Sequence, residues 1–365
     1  MTTILQPTNR ELGVQMLRAI AAIFVLLHHT IQICCITRDV PFMPHIWINY
    51  GFIGVNIFFV ISGYVMTLCL YQGKQFFLQR TARIYPAFWL TVAFSAFLSF
   101  LLLNGNSFPG VPWYFDIKSA LLLPTKEINP TYQIPYWTLV YEMTFYFIMS
   151  IVAFSRLSSK RLERGLWIWA GIITIVCLSH IYPPFNRESG TADVGLWTFL
   201  SPTNFLFIAG ALYGIRGKSI FRKQKWYVLA IASVFFWCLG KLLHDPNCLH
   251  LALHAISYLC LLDLVRRVKN PGRLLVMMGN ASYGLYLIHI LLILAFIKVM
   301  PAFMHTLSLF HFGVITFIVV LFGGVAFGAL EYNIHAKFIK PLLAYQKNKI
   351  RAQQSRDREG ATAEL

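Results

Sequence analysis

The chain has 365 residues, 57% of them hydrophobic and 12% charged, with a mean hydropathy of +0.61. A soluble globular domain carries about 25% charged residues, so the composition excludes an ordinary soluble enzyme and points to an all-α, polytopic integral membrane protein. The formal charge of +17 raises the question of a nucleic-acid partner, which the placement of the charges answers below.

The polar start through Glu11 is long, and the first apolar run leads into further spans rather than a small-residue cleavage site, so no cleavable signal peptide is expected. Hydrophobic runs of about 17 to 25 residues mark membrane spans. Ten such runs follow in chain order, roughly 14–34, 48–70, 84–103, 136–154, 166–182, 196–214, 226–241, 249–265, 281–300 and 311–331. With the N-terminus in the cytoplasm, the inner segments hold 25 of the 31 basic residues. Among them are Arg10 and Arg18, the Lys74–Arg80–Arg83 group, Arg216 to Lys225, Arg266 to Arg273, and the seven from Lys337 onward. That bias over short loops is the positive-inside pattern, and it accounts for the net charge without nucleic acid. About ten spans with both termini cytoplasmic are therefore expected, in one membrane domain over 1–345 and a polar, disordered cytoplasmic tail over 346–365. The seven cysteines include no CxxC pair. The adjacent Cys34 and Cys35 are poorly placed for a mutual disulfide, and no metal site is expected.

Ionisable and polar residues within spans are costly and mark function by default. His28 and His29 lie in the outer half of the first span, Asn56 midway through the second, Glu142 one to two turns into the fourth, and His289 in the ninth. At 1.5 Å rise per residue, His29 and Glu142 fall at similar depth, where a carboxylate could orient an imidazole. Each alone has an ordinary reading, His28 as a snorkelling or capping histidine and Glu142 as a bundle-stabilising carboxylate. Together they suggest a polar cavity, of an enzyme or of a transporter. In QFFLQRTARIYPAFWL, residues 75–90, Arg80 and Arg83 are spaced i,i+3 and share one helix face. Paired guanidinium forks suit phosphate or pyrophosphate, and cytoplasmic anchoring of a helix end is the plain alternative. Arg18 reaches the same inner level from the first span.

At this point five stretches resemble the membrane acyltransferase-3 family, and within it the exopolysaccharide-production branch. LRAIAAIFVLLHH is similar to the family pattern of arginine, ten residues and histidine, which selects Arg18 and His29 rather than His28. GFIGVNIFFVISGY resembles the second-span motif, with Asn56 where the family often has aspartate. QRTARIYPAFW carries the arginine-x-x-arginine motif through Arg80 and Arg83, and YWTLVYEMTFYF supplies Glu142. GNASYGLYLIH resembles the late motif through Ser282, Tyr283, Tyr286 and His289.

The resemblance implies a bacterial inner-membrane O-acyltransferase with no bound cofactor. It implies acyl-CoA, acetyl-CoA above all, as the cytoplasmic donor. A hydroxyl of a surface or exported polysaccharide, or of its lipid-linked sugar precursor, would be the acceptor. Membrane lipids and a polysaccharide-export machinery are the other implied partners. Some relatives carry a fused extracytoplasmic hydrolase-like domain, and none is expected after this short tail. The expected roles are His29 as base or transient acyl carrier with Glu142 as its orienter, and Arg80 and Arg83, assisted by Arg18, as the phosphate clamp. Asn56 orients a neighbour by hydrogen bonding. Ser282, Tyr283 and His289 line the channel, with Tyr283 and His289 also able to donate to the reacting carbonyl. The rival reading is a carrier or flippase of a glycan intermediate that performs no acyl chemistry.

Overall fold

The computed structural model describes residues 12–41, 50–103, 117–124, 135–155, 157–179, 195–221, 223–243, 250–301 and 306–345, and every regular element among them is helical. The order is α1 Leu12–Thr37, α2 Tyr50–Cys69, α3 Phe76–Leu103, α4 Ile117–Ala120, α5 Tyr136–Ser155 and α6 Ser159–Leu178. It continues through α7 Leu196–Leu200, α8 Asn204–Ile220, α9 Trp226–Leu242, α10 His250–Arg266, α11 Arg273–Val299 and α12 Leu309–Ile334. A π turn, His335–Ile339, extends α12. The polytopic all-α reading holds. Among the described residues six helices are long and apolar enough to cross a membrane: α1, α2, α3, α5, α11 and the last, α12 with its extension. The expected spans at 166–182, 196–214, 226–241 and 249–265 coincide with α6 and α8 to α10, which are shorter or carry charge at one end. The expected tail, 346–365, lies outside the described residues.

Local chemistry explains the helix limits. Ser158 and Ser308 occupy the N-caps of α6 and α12, accepting from the Arg161 and His311 backbone N–H groups at 3.4 and 3.3 Å. The expected span 196–214 is broken at Ser201–Pro202–Thr203, because a proline supplies no N–H and disfavours helix in the residue before it. Non-helical backbone at membrane depth survives only where the chain itself satisfies it. Here Asn204 Nδ2 donates to the carbonyls of Thr198 and Phe199 at 3.0 and 2.9 Å. Trp169 Nε1 donates to Phe199 at 2.8 Å, and the Tyr141 hydroxyl caps Ser201 Oγ at 3.1 Å. Sequence reasoning placed one uninterrupted span here because its apolar content hides the break.

The bundle is organised around α1, which packs against α2, α10, α11 and α12, while α2 joins it to α8 and α5, and α3 closes against α5 and α11. Without a hydrophobic force between helices in lipid, close approach depends on small residues at crossings. The α2–α8 crossing is reciprocal. A Cβ on Gly63 would stand 2.1 Å from the Phe207 carbonyl oxygen, and one on Gly210 would stand 2.0 Å from that of Val60. Gly54 sets the α1–α2 distance in the same way, against the Ala21 carbonyl at 2.4 Å. Since the obstacle at each crossing is backbone, relief requires moving a helix. Gly210→Leu should therefore destabilise the fold by about 1–3 kcal/mol, read as a lowered unfolding midpoint in detergent, whereas Gly171→Ala, with open space around its Cβ position, should leave it unchanged.

Candidate active site

A cavity of about 190 Å³ opens between α1, α2, α3, α5 and α11. Its charged wall is Arg18, Arg80, Arg83 and Glu142, and its apolar wall includes Val55, Phe58, Ile61 and Met66. Ser282 and Tyr283 line it as expected, together with Tyr146 and Tyr286. Three cations face one carboxylate, so the cavity favours an anion.

The arginine-x-x-arginine segment is held by the last helix. Pro86 supplies no N–H to the Ala82 carbonyl four residues earlier, and the His335 ring stands close to that carbonyl. One turn before His335, the buried Glu331 forms an ion pair with Arg83. Arg83 also lies over the Tyr283 ring, 5.2 Å from its centroid. Arg80 is held more lightly, through Nη2 to Cys69 Sγ at 3.2 Å, with its buried Nε unpartnered among the described residues. Sequence reasoning missed Glu331 and His335. Their i,i+4 spacing at the end of an otherwise apolar run was the available signal.

Glu142 sits at this arginine level. Its Oε1 accepts from the Tyr146 hydroxyl at 2.6 Å, and its charged neighbours are Arg18, Arg80 and Arg83. That corrects the expectation that it shares a level with His29 and orients it. One turn away on α5, Thr138 Oγ1 donates to the Pro135 carbonyl at 2.8 Å and so accepts from the Tyr286 hydroxyl at 2.7 Å. His289 is a further turn along α11 in the opposite direction. Glu142 and His289 are thus separated by about seven residues of helical rise, roughly 10 Å.

The structure instead brings His29 to His289. His289 Nε2 lies 3.1 Å from His29 Nδ1, and His289 Nδ1 lies 2.7 Å from the Tyr286 carbonyl oxygen. A carbonyl only accepts, so in the neutral ring His289 Nδ1 carries the hydrogen and Nε2 the lone pair. His29 Nδ1 therefore donates, to His289 Nε2 and to the Val25 carbonyl at 3.1 Å, which leaves the lone pair of a neutral His29 on Nε2. With its single N–H committed, a neutral His289 has none for a substrate carbonyl, correcting the expectation of an oxyanion donor there. Tyr283 likewise has its hydroxyl committed, to the Ile84 carbonyl at 3.2 Å, and the Ser282 hydroxyl donates to the Gly279 carbonyl at 2.8 Å.

Two expected cavity residues stand outside the lining. Asn56 is buried in α2, between lining residues Val55 and Phe58. A side chain between two wall positions on a helix points away from them. His289 lies one turn beyond Tyr286, where the cavity ends. His28 packs against Gly51, where an added Cβ would meet its ring at 2.7 Å. It sits edge-on to His29, with centroids 5.2 Å apart. Among the described residues no group of three or more His, Cys, Asp or Glu side chains is placed to hold a metal ion.

Fold and site together define a multi-pass membrane protein with a cationic cavity and, outside its lining, the pair of His29 and His289. The family model Acyl_transf_3, described as an acyltransferase domain, matches residues 11–329, and the chain belongs to that acyltransferase family. It is 26% identical over 267 residues to Nodulation protein 10 of Rhizobium leguminosarum bv. viciae, covering 65% of this chain and 71% of that one. It is 25% identical over 316 residues to a provisionally named O-acetyltransferase of Staphylococcus aureus (strain COL), covering 76% of this chain and 50% of that one. The peptidoglycan O-acetyltransferase OatA of Listeria monocytogenes is 26% identical over 225 residues, covering 51% of this chain and 34% of OatA. The chain therefore spans half or less of the two acetyltransferases. No solved structure matches it.

Removing one member of a buried ion pair leaves the other charge uncompensated. Glu331→Ala should lower stability by about 3 kcal/mol, measured by unfolding in detergent, and Arg83→Met combined with it should restore a large part of the loss.

Proposed function

We propose that the protein transfers an acyl group, acetyl or similar, from acyl-CoA to a hydroxyl of a surface or exported polysaccharide or its lipid-linked precursor. One observation carries this reading: α1 presents Arg18 of the cationic cavity and His29 on nearly the same face. Eleven residues turn an ideal helix about 20° past three full turns and rise about 16 Å. A cationic anchor and a base are thus set apart by the length of an extended carrier arm. The acyltransferase family supplies the chemistry, and the O-acetyltransferases among the relatives support a hydroxyl acceptor.

The CoA phosphates bind Arg18 and Arg80, whose guanidinium groups face the cavity without a carboxylate bonded to them among the described residues, while Arg83 adds its field. The arm runs along Val55, Phe58 and Ile61. The Phe58 and Tyr286 rings pack against each other with centroids 5.6 Å apart, so the acyl thioester reaches His29 by displacing that pair. His29 Nε2 takes the proton of the acceptor hydroxyl as its oxygen attacks the thioester carbonyl. When the C–S bond breaks, that proton goes to the departing sulfur and leaves His29 neutral. Glu142 belongs to the donor end in this reading, tempering the charge of the three arginines. About ten spans with both termini cytoplasmic, in a bacterial inner membrane, put the arginine end on the side where acyl-CoA is made. The distribution of basic residues supports that orientation.

The test follows thiol release from acetyl-CoA, and ester formation, in membranes of the producing strain that contain the natural acceptor. His29→Ala should reduce transfer roughly 10²- to 10⁴-fold with the unfolding midpoint preserved; transfer at the wild-type rate would overturn the assignment. Arg80→Ala should raise the acyl-CoA KM about tenfold or more, the scale of a lost hydrogen bond to a charged group, with kcat little altered. A wild-type protein that moves a glycan intermediate and consumes no thioester would be a carrier instead.

A further inference from the structure

We infer that His289 is the positioning residue of His29, a neutral imidazole standing where a base–orienter pair usually has a carboxylate. The inference rests on the reading of His29 as base.

The geometry determines the hydrogen positions in sequence. Thr138 donates to Pro135, so Tyr286 donates to Thr138, and this pins the Tyr286 side chain to α5. The Tyr286 carbonyl, with that of Leu285 also within reach, takes the Nδ1 hydrogen of His289. His289 is 1% exposed, and its neighbours Leu285, Leu287 and Ile288 are buried, so its Nε2 is shielded from bulk solvent. Among the described residues, that lone pair is met by the His29 Nδ1–H group, at 3.1 Å. The Val25 carbonyl lies at the same 3.1 Å and accepts the same hydrogen, so both partners favour the tautomer in which Nε2 of His29 is the base. His289 reinforces that tautomer and, as a second partner from another helix, fixes the plane of the ring.

The choice of a neutral partner has a physical reason. An ionised carboxylate at this depth needs its own cation or donors, and Glu142 finds them only at the arginine end. An imidazole whose one hydrogen goes to a helix carbonyl orients its neighbour with no added charge. During transfer His289 keeps its Nδ1 hydrogen throughout. The hydroxyl proton moves to His29 Nε2 while the C–O bond forms, and moves on to sulfur as the C–S bond breaks.

Two measurements test this. In full-length protein in nanodiscs with ¹⁵N-labelled histidine, the wild-type His29 signal, assigned by its loss in His29→Gln, should report hydrogen on Nδ1 and none on Nε2. His289→Ala should mix the two tautomers. A wild-type His29 that carries its hydrogen on Nε2 overturns the proposal, and this arm needs neither activity nor a variant at 289. In the thioester assay, His289→Ala should lower kcat at least about tenfold, the direction expected when a base is held in the wrong tautomer, with the acetyl-CoA KM unchanged. His289→Gln, whose amide oxygen accepts from Nδ1, should recover a large part of that loss. Equal kcat for His289→Ala and wild type overturns the positioning role, as does a His289→Gln variant that folds yet remains as slow as His289→Ala. Activity surviving in His29→Ala overturns the base reading instead, and the nitrogen spectrum then still decides whether His289 sets the tautomer.

Discussion

A polar group inside a hydrocarbon layer has no water to turn to, and the described structure follows from that restriction. Among the described residues, breaks in helical hydrogen bonding have polar side chains gathered around them. The carbonyl of Ala82, left without a donor by Pro86, has the His335 ring beside it. The interruption at Pro202 is closed by Asn204, Trp169 and Tyr141. The same scarcity makes hydrogen positions deducible from heavy atoms alone. Where each acceptor has one available donor, a single carbonyl oxygen beside His289 determines the state of two rings.

The restriction also explains how charge is distributed. Arg83 carries Glu331 with it as a buried pair, and Glu142 keeps Tyr146 as a donor. Arg18 and Arg80 hold no comparable carboxylate bond, and they face the cavity. A cation at membrane depth that is not neutralised by the protein is available to an anionic ligand, and its desolvation is already accomplished before the ligand arrives. At the other end of the site no charge is present in the histidine pair, which suits a position remote from the arginines. In the proposed reading the two ends therefore differ in kind: one holds a charged anchor, the other a neutral base.

Tight helix crossings connect these ends. Glycines at 54, 63 and 210 let α1, α2 and α8 approach until backbone meets backbone, and Gly279 brings α11 equally close to the Gln15 carbonyl of α1, so α1 is held against α2 and α11 at once. That double contact is what allows residues from α1 and α11 to meet at His29 and His289, while Arg18 reaches a cavity completed by α3 and α5. The last helix contributes at long range, through Glu331 and His335, one turn apart, which meet α3 within its arginine motif.

Much of this was legible from the chain alone. Hydropathy and the placement of basic residues determined a polytopic helical membrane protein, because the cost of burying backbone and charge in lipid is paid segment by segment and shows in composition. The motifs singled out Arg18, His29, Arg80, Arg83 and Glu142, since ionisable residues are conspicuous in apolar runs. Only the tertiary structure decided which of them meet. Depth counted along separate spans placed Glu142 beside His29, but helix offset and side-chain reach move it to the arginines and leave His289 as the partner. Glu331 and His335 escaped notice at the end of an apolar run, and the break at Pro202 was masked by the hydropathy around it. Periodicity reports the environment of each segment, whereas the pairing of side chains depends on how helices are shifted against one another, and that shift is set by close contacts between residues far apart in the chain.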